Sequence, residues 1–262
     1  MNILLETDLL NRIKVAAKEA GNIMINASHS RVMQKSGHAN FCTETDERIQ
    51  RFLVERLGDI LPEASFVGEE DGQDIFTEKM SGGHTFIIDP IDGTSNFISG
   101  YRPSVVSIAL LKDGRPYIGV VYDPFGDEMY HALSGKGAYL NGERIMSSDA
   151  PLSESLAVFG TAPYYPELID RTFETVKKLM PLCVDVRRSG TAAFDMCCVA
   201  SGRCSLYFEM RLQLWDYAAA ALIAKEAGCT VTDADGNELS YRGPASAVCL
   251  ARGIKEMPEC FT

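Results

Sequence analysis

The stretch "TAAFDMCCVASG" at residues 191–202 reads as a helix that is apolar on all sides. Such a helix has no face to offer water, so other elements must cover it. A second segment, "WDYAAAALIAKEAG", is also helical, with Gly228 placed as a C-terminal cap. At 262 residues the chain is long enough to bury a substantial core around them. Two intimately packed parts fit best: an α+β part over residues 1–147 and an α/β part over 148–262, an α/β protein overall.

The remaining elements follow from periodicity. Leu9, Ile13, Ala17, Ala20 and Met24 recur at helical spacing, which predicts a first helix ending near Ala27. A second helix is expected from Asp46, with Ile49, Phe52, Leu53 and Leu57 on one face. "ASFVGEEDG" reads as a strand running into an acidic loop. From residue 84 to about 145 the chain is strand-rich, and "KDGR" between "SVVSIALL" and "PYIGVVYDP" signals a hairpin. "SLAVFG", "CSLYFE" and "SAVCLA" are strands of the second part, and residues 166–180 a helix.

Acids outnumber bases 36 to 25, a net charge of −11, which argues against nucleic acid or an anionic membrane as the main partner. An anionic protein handling an anionic substrate would need a cation between them. "MNILLETDLLNRIK" lacks the basic start and long apolar core of a signal peptide. No apolar run reaches the roughly 18 to 20 residues that span a bilayer. Eight cysteines without a CxxC read as buried, reduced thiols, so the expected compartment is the cytoplasm.

The chemistry is concentrated in "FIIDPIDGTSNF", residues 86–97. Asp89 ends an apolar strand, a favoured place for ligand sites in layered α/β proteins. Pro90 stiffens the corner that follows, and Gly93 permits a tight turn. Two ionised aspartates in one small volume call for a counter-charge, although a capped turn also accounts for a lone DxxD. Glu69 and Glu70 lie at another strand-to-loop transition, where a solvated loop is the plainer account. Asp216 lies in the first turn of a helix, where the macrodipole alone would welcome an acid.

Three motifs in order make the chain similar to a known family. "DPIDGTSNF" resembles the DPIDGTTNF signature of the inositol monophosphatases, "WDYAAA" resembles their WDxAAG, and "GEE" lies at the expected distance before the first. The resemblance runs from about Lys35 to the final strands. It implies a five-layered αβαβα sandwich of the sugar-phosphatase type. It also implies Mg²⁺-dependent, lithium-sensitive hydrolysis of phosphate monoesters, with two or three Mg²⁺ per subunit. The side chains of Glu69, Asp89, Asp92 and Asp216 and the carbonyl of Ile91 would be the ligands, an all-oxygen set suited to Mg²⁺. Asp46 and Thr94 would activate the water, with Glu70 behind the ligands. Gly93 and Thr94 would meet the phosphate through backbone N–H groups at a helix start. Gly190, Thr191, Ala192 and Glu209 would contact the substrate alcohol, and Lys35 matches a lysine near the metal loop.

The resemblance also departs in places. Ser95 replaces the second threonine of the signature, and Ala220 replaces the glycine of WDxAAG. The expected activity is hydrolysis of inositol 1-phosphate or a similar polyol or sugar phosphate, by a homodimer. Fructose 1,6-bisphosphate and 3′-phosphoadenosine 5′-phosphate are the alternative substrates, and a non-catalytic protein-binding member is the alternative class.

Overall fold

The structure is a computed structural model and describes residues 3–27, 32–34, 41–71 and 83–261. Helices α1 (Ile3–Ile25) and α2 (Glu44–Ile60) lay Ile13, Ala17, Ala20, Ile49 and Leu53 on one face of a sheet. Helix α2 begins two residues before the expected Asp46. Thr43 is the N-cap: its hydroxyl accepts from the N–H groups of Thr45 and Asp46, and the Asp46 carboxylate accepts from the Thr43 N–H at 2.8 Å. That reciprocal box fixes where the helix starts.

The strands β1 (Val32–Gln34) and β2 (Phe41–Thr43) form a small antiparallel pair. The large sheet has seven strands in sequential order: β3 (Ser65–Gly68), β4 (His84–Asp92), β5 (Val105–Lys112), β6 (Arg115–Asp123), β7 (Glu128–Leu133), β8 (Ala138–Leu140) and β9 (Glu143–Ile145). Only the β3–β4 pairing is parallel, and β5 and β6 form the hairpin expected at "KDGR". Period-two alternation sends Phe86, Ile88, Val106 and Ile108 to the α1/α2 side, and Ile87, Val105 and Ala109 to the other.

A second, mixed sheet runs in the order β11-β10-β12-β14-β13. Its strands are β10 (Leu156–Phe159), β11 (Asp185–Arg187), β12 (Leu206–Leu212), β13 (Thr230–Thr232) and β14 (Ala245–Leu250). The short helix α3 (Thr94–Ser99) follows β4, and α4 (Ile169–Leu179) covers the outer face of the second sheet with Val176 and Leu179. The expected helix over 166–180 is α4 flanked by 3-10 turns at Pro166–Leu168 and Met180–Leu182; Pro181, which has no N–H to give, cannot continue the α-helical bonding.

Helices α5 (Ala192–Ala200) and α6 (Leu214–Glu226) lie between the sheets and share one apolar core with both. They are the two segments whose composition demanded cover. The order of layers is therefore α1/α2, seven strands, α5/α6, five strands, α4: the αβαβα sandwich. All eight cysteines are free thiols, seven of them buried. Among the described residues no helix is long and apolar enough to cross a membrane.

Candidate active site

Beside α3 lies a cavity of about 410 Å³ lined by residues of both sheets. Glu69, Asp89, Asp92 and Asp216 all face it, brought from three separate stretches of chain. Each arrives by a local device. A regular strand would point Asp89 and Asp92 to opposite faces, because they are three residues apart. Strand β4 does not turn a corner at Pro90, as expected, but continues to Asp92. Its register against β5 shifts between Asp89 and Asp92. That irregularity moves Ile91 to the α1/α2 core and brings Asp92 to the same side as Asp89.

Asp216 is the third residue of α6 and accepts from the Gln213 N–H at 2.7 Å, which fixes its carboxylate at the helix start. Asp92 accepts from the Ala193 N–H at 2.7 Å, at the start of α5. Glu69 lies in a 3-10 turn after β3 that Gln50 of α2 pins down. The Gln50 amide accepts from the Glu70 N–H at 2.9 Å and donates to Asp71 at 3.0 Å. Nothing in the local sequence marks Gln50, because its partners lie about twenty residues away.

Burial first, and then the neighbouring carboxylates, push Asp89, Asp92 and Asp216 well above the usual carboxylate range. Glu69 stands in hydrogen-bonding contact with Asp89. Four acids line one cavity, and among the described residues no lysine, arginine or histidine forms a salt bridge with Asp89, Asp92 or Asp216. Among the described residues no three or more His, Cys, Asp or Glu side chains stand grouped as a metal ion would need. A Mg²⁺ site needs only one or two carboxylates, the rest of its shell being water and phosphate oxygen. The donor set fits a hard divalent cation.

Asp46 is not among the residues that line the cavity and is joined to it by Thr94. The Thr94 hydroxyl lies 3.1 Å from Asp46 Oδ1 and 3.1 Å from the Ile91 carbonyl oxygen, while the Thr43 hydroxyl donates to the other Asp46 oxygen. Burial raises Asp46 to about 6 against the pull of these hydrogen bonds, and Glu70 adds to the rise. Gly93 adopts φ +93°, a left-handed conformation that glycine takes without strain, and α3 starts directly after it. Gly190, Thr191, Ala192 and Glu209 line the same cavity. Lys35 lies outside the described residues.

Several lining residues went unmarked by the sequence. Asn96 donates to the carbonyls of Pro103 (2.8 Å) and Ser189 (2.9 Å), tying α3 to the loop before α5. Ala162 adopts φ +43° directly before Pro163, and its N–H donates to Glu209 at 2.7 Å. Tyr207 donates to the other Glu209 oxygen at 2.8 Å. Tyr164 lines the cavity, and burial of its hydroxyl and the charge of the four carboxylates push that group up. A "PYYP" run carries no pattern that would have placed it there.

With this fold and this carboxylate-lined cavity in view, comparison with known proteins gives the class: residues 6–258 match the Inositol monophosphatase family, and the chain belongs to it. Among its relatives is the "Nus factor SuhB" of Xylella fastidiosa, 33% identical over 256 residues, 94% of this chain and 90% of that one. Another is the "Inositol monophosphatase 1" of Bos taurus, 34% identical and covering 84% of this chain and 81% of its own. The solved IMPase of Thermotoga maritima superposes with a TM-score of 0.82 at 30% identity, over 94% of this chain and 92% of that one.

Proposed function

We propose that the protein hydrolyses a small phosphate monoester, inositol 1-phosphate or a similar polyol or sugar phosphate, with Mg²⁺ held by Glu69, Asp89, Asp92, Asp216 and the carbonyl of Ile91. The observation that carries the reading is the convergence of four carboxylates on one cavity. Family membership supports it. When bound, Mg²⁺ supplies Lewis-acid polarisation of phosphoryl oxygen and lowers the pKa of a bound water. The chain supplies positioning and proton traffic. Thr94 donates its hydroxyl proton to Asp46 Oδ1, which leaves an oxygen lone pair to orient the attacking water. As that water loses a proton to Thr94 Oγ1, the Thr94 proton passes to Asp46, whose pKa of about 6 suits a base near neutrality. Backbone N–H groups at the start of α3 face the phosphate, and Glu209 and the Gly190–Ala192 backbone orient the alcohol.

Replacing Asp89 with Asn should abolish Mg²⁺-dependent phosphate release and remove the rise in melting temperature that Mg²⁺ gives the parent protein. Replacing Thr94 with Val should lower kcat by about 10²-fold or more, the range for loss of proton-transfer catalysis, while the Mg²⁺-induced rise persists. Near-normal turnover in Asp89→Asn sinks the reading.

A second reading, action through protein contacts, is favoured by the relatives named Nus factor. Lack of any Mg²⁺-dependent phosphate release from the parent protein, with Mg²⁺ binding absent by calorimetry, would favour it. We also infer a homodimer, supported by exposed Phe173, Met180 and Val184 on the continuous α4–turn–β11 stretch at a sheet edge.

A further inference from the structure

The cavity that gathers four carboxylates at one end also carries two guanidinium groups, from Arg188 and Arg211. Among the described residues neither forms an ion pair within 4 Å, although Arg188 lies near enough to Asp195 and Glu209 for its charge to favour their ionised forms. In a chain with eleven more acids than bases, two arginines that line one cavity without a direct carboxylate contact need an account.

Arg211 owes its direction to an irregularity in β12. Tyr207 joins the core between the sheets, and Phe208 and Met210 the outer core, as a period of two requires. Leu212 breaks the alternation by joining the Tyr207 side, and the register against β14 shifts between Glu209 and Leu212. The extra residue turns Arg211 out of both cores, the one exposed side chain of that strand.

Its guanidinium then lies 5.1 Å from the Tyr165 ring centroid, and the buried Gln213 donates to the Tyr165 hydroxyl at 3.1 Å. Stacking occupies a face of the guanidinium and leaves its in-plane N–H donors free for a bidentate anion. Arg188 is held from the other side, its Nε donating to the Thr161 hydroxyl at 3.2 Å. Asp195 and Glu209 feel its charge but take their hydrogen bonds elsewhere, Glu209 from Ala162 and Tyr207 and Asp195 from Ser189, which leaves guanidinium N–H donors for a ligand.

We propose that Arg188 and Arg211 form a second anion position in this cavity, so that the favoured substrate carries a phosphate or carboxylate besides the phosphate that is removed. This rests on the phosphatase reading above and narrows it from polyol monophosphates to doubly anionic esters.

The test uses a matched pair, glucose 1,6-bisphosphate and glucose 1-phosphate, with Mg²⁺ and with the full-length protein. The parent should favour the bisphosphate in kcat/KM. Arg188→Gln and Arg211→Gln together should lower that preference by about tenfold or more, chiefly through KM, the scale of losing a charge-assisted hydrogen bond. Arg211→Lys should restore part of it. A parent without preference, or variants that slow both sugars equally, would overturn the proposal. A parent that hydrolyses neither sugar overturns the phosphatase reading instead. The anion position is then judged by calorimetric titration of inorganic phosphate into Mg²⁺-free protein. Binding that the double variant loses supports it; binding that is absent, or unchanged in the variant, rejects it.

Discussion

Gly160 is the residue on which the Glu209 side of the cavity turns. It follows β10, and a Cβ there would collide with the Glu209 carboxylate. Glu209 is itself held by Ala162 and Tyr207, so it has no free direction in which to yield. Gly160→Ala should therefore displace Glu209 and raise KM for polyol phosphates several-fold, with a smaller change in kcat. Steady-state kinetics on inositol 1-phosphate check this, and an unchanged KM would remove Glu209 from alcohol recognition. At this scale much was legible. "DPIDGTSNF", "GEE" and "WDYAAA" mark the residues that converge, because each carries an acid at the end or start of an element. Gln50, Asn96, Tyr164 and Arg211 were not legible, because their importance lies in partners distant along the chain or in a local shift of strand register.

Among the elements, α6 is the longer of the two helices that both sheets share. Its run Ala218–Ala221 is fully buried, and small side chains let the helix approach β6 closely. At Gly119 a Cβ would stand 2.6 Å from the Ala219 carbonyl oxygen, a backbone atom that moves only if the helix moves. Gly119→Ala should cost about 1–3 kcal/mol of stability, the usual toll of overpacking. It should also reduce activity, because the shifted helix carries Asp216. Denaturant unfolding and phosphate-release assays should move together, and a stable variant with normal turnover would show that α6 has slack. Helices of this kind were evident from composition alone. Strand β11 was not, since three residues containing an aspartate and an arginine carry no strand pattern, and its pairing with β10 alone defines it.

The whole molecule presents a strongly acidic body with an apolar edge. Val184 is 62% exposed beside the edge strand β11, and Phe173 is 52% exposed on α4. Exposed edges with apolar flanks favour pairing with another chain. Sedimentation of the parent protein should give twice the 28.7 kDa chain mass, and Val184→Asp with Phe173→Asp should give the single chain. A parent that sediments as one chain removes the homodimer.

The position of α6 between the sheets bears on how the protein is made. Glu69, Asp89 and Asp92 leave the ribosome early, whereas Asp216 follows more than a hundred residues later, on a helix that must be enclosed from both sides. With the ligand set proposed above, a nascent chain cannot complete its metal site until α6 has been synthesised and enclosed. Metal capture would then mark the end of folding rather than guide its beginning.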